Sequence, residues 1–131
     1  MEYLGFALKS KSVNVTAMDM HFEQCSQHFE TVADYIRDVC GANPVITSAK
    51  DSIHSAGSEH PFGRSIDVRI SDWKGDVVQH AKVIAWILGD PWVVVAELSK
   101  LHLHIQAGTR NIKNPTDIIP VGSGSFIKSK V

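Results

Sequence analysis

Residues 57–70 read GSEHPFGRSIDVRI, and residues 101–106 read LHLHIQ. Both stretches end in a strict two-residue alternation. In SIDVRI (65–70), Ile66, Val68 and Ile70 point one way, and Ser65, Asp67 and Arg69 point the other. In LHLHIQ, the apolar side is Leu101, Leu103 and Ile105, and the open side is His102, His104 and Gln106. A period of two predicts half-buried strands. If the two strands share a sheet, an aspartate and two histidines share one of its faces.

Working outward, WVVVAE (92–97) is an apolar run bounded by breakers and predicts a buried strand. PVITSA (44–49) is β-branched, opens on Pro44, and predicts another. Phe22, Cys25, Phe29, Val32, Ile36 and Val39 recur at steps of three and four. That spacing predicts one helix beginning at Thr16 to Asp19 and stopped by Gly41 and Asn43-Pro44. A second helix is predicted from Asp76 to Leu88, with Val77, Ala81, Ile84 and Leu88 inward and Gly89-Asp90-Pro91 as its stop. The expected fold is α+β: a single domain over residues 1–108, with a mainly antiparallel sheet flanked by two helices. Residues 109–131 have no hydrophobic period and are expected to form a loosely ordered C-terminal tail with room for one short strand or helix.

The chain has 131 residues, enough to bury a sizeable core without a disulfide or metal to hold it together. Its formal net charge is -1, and its basic residues are scattered, which argues against nucleic-acid and membrane partners. The first residues lack the pattern of a signal peptide, so cytoplasmic synthesis is expected. Cys25 and Cys40 fall on the first predicted helix. Fifteen residues of helix would hold them about 22 Å apart, and disulfide geometry needs less than about 7 Å. Both are expected to be reduced thiols.

The chemistry lies on the polar side of the two alternating strands. His60 stands seven residues before Asp67, across a turn containing Pro61 and Gly63 that can swing its imidazole over the same face. Imidazoles and one carboxylate are ligand types that zinc takes, and three protein ligands leave a fourth position open for water, whose pKa zinc lowers toward about 7. Glu97, at the end of the 92–97 strand, is the candidate to accept a proton. The same residues also fit a buried His–Asp hydrogen-bond pair without metal. His21 and His28, seven apart on the first helix, read as surface or boundary residues, and His80, near the polar side of the second helix, is given no role.

SEHPFGRSIDVRISD resembles the SxHxxGxAxD stretch of zinc D-Ala-D-Ala carboxypeptidases and L-alanyl-D-glutamate endopeptidases. It is closer still to the HxxGRAVD stretch of hedgehog signalling domains. ELSKLHLHIQ resembles the closing Glu and HxH of the same superfamily, which also contains the lysostaphin-type peptidases. The resemblance spans roughly residues 20–107. It implies a hedgehog/DD-peptidase-like fold and one zinc ion held by His60, Asp67 and His104. It makes Glu97 the catalytic acid/base and His102 the group that polarises the scissile carbonyl. It places His54 and Ser58 in the substrate site and leaves Lys50 where the family has an arginine for a substrate carboxylate. Three departures stand out: Ser65 replaces alanine, the Glu97–His104 gap is seven, and TSAKDS replaces a Tyr-Arg ending.

The implied function is zinc-dependent hydrolysis of an amide bond in peptidoglycan stem peptides, as endopeptidase or carboxypeptidase. The analogy extends to a phage-type lysin or virion-associated wall hydrolase, acting in a host cytoplasm or from a virion. The alternative is a zinc-containing, non-catalytic binding or assembly module of the same fold, docked to a larger assembly through the C-terminal tail.

Overall fold

A computed structural model describes residues 1–49, 63–108, 119–121 and 124–128. The strands in chain order are β1 (Glu2–Tyr3), β2 (Phe6–Leu8), β3 (Val45–Ser48), β4 (Ser65–Arg69), β5 (Trp92–Glu97), β6 (His102–Ala107), β7 (Ile119–Val121) and β8 (Gly124–Lys128). The helices are α1 (Met20–Gln24), α2 (Ser26–Asp38) and α3 (Val77–Leu88). Lys50, His54, Ser58 and His60 lie outside the described residues. Among the described residues, no helix is long and apolar enough to cross a membrane.

The fold is α+β, with one sheet in the order β1-β2-β3-β4-β6-β5-β8-β7. It is mixed, which corrects the expectation of a mainly antiparallel sheet. The central strands β3, β4, β6 and β5 run antiparallel each to the next, but β2 pairs parallel with β3 and β8 pairs parallel with β5. Those two parallel pairs extend the sheet on both sides, because the free edges of β3 and β5 each accept a strand from far along the chain.

β8 comes from the stretch expected to be a loose tail. Phe126 and Ile127 are buried, and Phe126 joins the main core. β8 lies so close to α3 that a Cβ at Gly124 would run into the Ala85 carbonyl, and this approach explains glycine there.

Among the described residues three helices, rather than two, flank the sheet. Asp19 caps α1 by accepting the His21 backbone N–H at 2.9 Å. At Cys25 the backbone leaves helical geometry (φ -104°, ψ 20°), and α2 starts afresh at Ser26. The hydrophobic spacing hides this break because both helices cover the same anchor. Trp92 is fully buried and meets the rings of Phe22 at 4.9 Å and Phe29 at 4.8 Å. Its indole N–H donates to Cys25 Sγ at 3.3 Å. Cys25 and Cys40 are both free thiols, as expected.

α3 follows its predicted course, with Asp76 as N-cap and Gly89 as C-cap. His80, expected near the polar side of this helix, is instead buried on its inner side, where it is a structural clamp. Its Nε2 lies 2.7 Å from the Lys74 carbonyl, which can only accept, so Nε2 carries the hydrogen. Nδ1 then accepts from the Tyr35 hydroxyl at 2.8 Å, tying α2 to α3. The helices and the apolar faces of β3 to β6 enclose the core, with Ile46, Ile66, Val68, Leu103 and Ile105 contributing from the sheet. This arrangement commits the polar sides of β4 and β6 to the opposite face.

Candidate metal centre

The site is assembled by register. In the β4–β6 pair, Asp67 stands directly opposite His104 and Arg69 opposite His102. In the β5–β6 pair, Glu97 stands opposite His102 and Val95 opposite His104. Residues directly opposite on one face bring their Cβ atoms within about 5 Å. The central strand β6 therefore carries two histidines between an aspartate on one side and a glutamate on the other. A single turn of 3-10 helix (Leu98–Lys100) and Leu101 in the left-handed region (φ 56°) join β5 to β6. That turn corrects one expectation: Leu101 belongs to the connection and is exposed, so the core side of the strand begins at Leu103.

Asp67 Oδ1 is 3.2 Å from His104 Nδ1 and 3.7 Å from His102 Nε2. His102 Nε2 is 3.1 Å from Glu97 Oε1, and Glu97 Oε2 is 3.4 Å from Lys100 Nζ. On the far side of the ring, His104 Nε2 meets Gln106 Oε1 at 2.6 Å, and Gln106 Nε2 donates to the Gly108 carbonyl at 2.9 Å. Asp67 and Gln106 are buried, retaining 7% and 2% of their surface, while Glu97, His102 and His104 are half-buried and Lys100 is exposed.

The electrostatics follow from these contacts. The hydrogen bond from His102 holds the Glu97 carboxyl below its ordinary value. The positive charges of His102, Lys100 and His104 add to this against the opposing effect of burial. Burial is the largest influence on His104 and disfavours its charged form. The hydrogen bond and charge of Asp67, the Gln106 hydrogen bond and the Glu97 charge together outweigh it and raise the pKa.

One ligand atom each from Asp67, Glu97 and His104 lie within 4.8 Å of one another. Two carboxylate oxygens and an imidazole nitrogen match the donors zinc accepts. A tetrahedral ion with bonds of about 2.0–2.1 Å holds its ligand atoms about 3.3 Å apart, and the Asp67–His104 separation of 3.2 Å fits one edge. With a proton on Nδ1 the same contact is a hydrogen bond, so proton and cation compete for one nitrogen.

Of the residues expected from the sequence, Asp67, Glu97, His102 and His104 come together. Glu97, expected as acid/base, stands within reach of the ligand atoms, so it can hold a cation as well as move a proton. Two participants were not assigned roles from the sequence. The alternation of LHLHIQ puts Gln106 on the open side of its strand and says nothing of a function. Lys100, three residues after Glu97, gave no signal other than that spacing. No protein-family model and no curated protein matches this chain.

Proposed function

We propose that this protein is a zinc metallopeptidase with a hedgehog/DD-peptidase-like arrangement, hydrolysing an amide bond in peptidoglycan stem peptides. The observation that carries the reading is the 3.2 Å approach of Asp67 Oδ1 to His104 Nδ1, with Glu97 in the same cluster. The peptide substrate, and the setting of a phage-type lysin, rest on the sequence resemblance.

Asp67 and His104 would hold the ion, with His60 as third ligand by that resemblance. When bound, zinc supplies Lewis-acid polarisation and makes water a stronger acid. Glu97 stays ionised at neutral pH because the His102 hydrogen bond and the Lys100 charge hold its carboxyl below the ordinary value, and it accepts a proton from the attacking water. The carboxylic acid so formed passes the proton to the leaving amine nitrogen. The His102 Nε2–H, now 3.1 Å from Glu97, donates to the carbonyl oxygen as negative charge builds there. Lys100 adds a positive charge at the rim.

Metal analysis of the purified protein is expected to find one zinc per chain. Purified cell walls should be cleaved by the native protein and about 10²–10⁴-fold more slowly by Glu97→Gln, with zinc retained. Bound zinc without cleavage by the native protein would support the binding or assembly module. Absence of zinc would leave the His–Asp pair as a structural hydrogen bond.

A further inference from the structure

We infer that Gln106 is a positioning residue that selects Nδ1 of His104 as the metal-binding nitrogen. The inference rests on the metal-centre reading above and deepens it. The argument is one of donors and acceptors. The Gly108 carbonyl can only accept, so the Gln106 amide must present its NH2 there, at 2.9 Å. This orientation turns Oε1 toward His104 Nε2, at 2.6 Å. Oε1 can only accept, so Nε2 must carry the hydrogen. A neutral imidazole with its hydrogen on Nε2 has its lone pair on Nδ1, and Nδ1 faces Asp67 Oδ1 at 3.2 Å. A lone pair and a carboxylate oxygen at that separation repel unless a proton or a cation lies between them.

Gln106 therefore points electron density into the Asp67–Glu97 cluster and fixes the plane of the ring. It is itself held rigidly: it is 2% exposed and bonded at both ends of its amide. Ser65, fully buried, stands directly opposite Gln106 in the β4–β6 register, and its small side chain leaves room for the glutamine.

The test has two readouts that do not depend on turnover. Zinc affinity is measured by competition with a chromophoric chelator for the native protein, Gln106→Leu and Gln106→Glu. The leucine variant should bind about 10–100-fold more weakly. The glutamate variant keeps an acceptor against Nε2–H but loses the donor to the Gly108 carbonyl, and should bind zinc more tightly than the leucine variant. Long-range 1H–15N spectra of the zinc-loaded native protein, which need no variant, should show a hydrogen on Nε2 of His104 and none on Nδ1. A hydrogen on Nδ1 instead, or native affinity in a folded leucine variant, overturns the role of Gln106 while leaving the metal centre standing. A native protein that takes up no zinc overturns the metal centre and this inference with it.

Discussion

Replacing Asp67 by Asn would separate the forces that set the charge on His104. In the native protein, burial opposes the imidazolium, and four favourable influences outweigh it; two of the four come from Asp67. His104 therefore titrates above the ordinary 6.5. Without the Asp67 charge, and with only the weaker amide oxygen left to accept, burial should win, and His104 should titrate below the ordinary value. The consequence for stability has a definite sign. A raised folded pKa gives the metal-free native protein a stabilisation that is fully present below about pH 6.5 and is lost as pH rises through the folded value. In Asp67→Asn the slope should reverse, so that metal-free stability rises with pH up to about 6.5. Each unit between folded and unfolded pKa is worth about 1.4 kcal/mol. The His104 ring protons of chelator-treated protein, followed by NMR, would give the two midpoints, and urea melts across the same pH range would give the slopes. A midpoint in Asp67→Asn equal to the native one would refute the reasoning, because Asp67 could not then be the group holding the proton on Nδ1.

Other expectations address the frame around the site. Trp92→Ala removes the ring that Phe22 and Phe29 both contact, and should cost about 3–5 kcal/mol. In a chain of this length the melting temperature should fall by roughly 10–20 °C; a loss below about 1 kcal/mol would contradict the shared anchor. Gly124→Ala forces a methyl group toward the Ala85 carbonyl and should destabilise by about 1–3 kcal/mol, with faster amide exchange in β8 than in β6. Cys40 is fully buried, and burial pushes its thiol up to about 11. At pH 8 only about one in a thousand of these thiols is ionised, so iodoacetamide should label Cys25 well before Cys40, as read by peptide mass spectrometry.

The hydrophobic patterns were most legible where one local period governed a whole element. WVVVAE became β5 over its full predicted length, and Asp76 and Gly89 bounded α3 as their capping chemistry requires. The break at Cys25 escaped detection because Phe22 and Phe29 keep the same spacing on either side of it, and hydrophobic spacing records the burial face without recording backbone continuity. β8 escaped because Gly124–Lys128 is too short and too rich in small residues to show a period. It becomes a strand by pairing with the edge of β5.

The alternation in SIDVRI and LHLHIQ by itself determined that Asp67, His102 and His104 turn away from the apolar sides of their strands, because successive residues of an extended chain must face opposite ways. Which residues become neighbours was decided only by the tertiary structure. Backbone hydrogen bonding is nearly indifferent to side-chain identity, so strand order and register are chosen by the packing of the whole core. Placing β6 between β4 and β5 brought Asp67 to His104 and Glu97 to His102, and the backbone at Gly108 gave Gln106 the carbonyl that orients its amide.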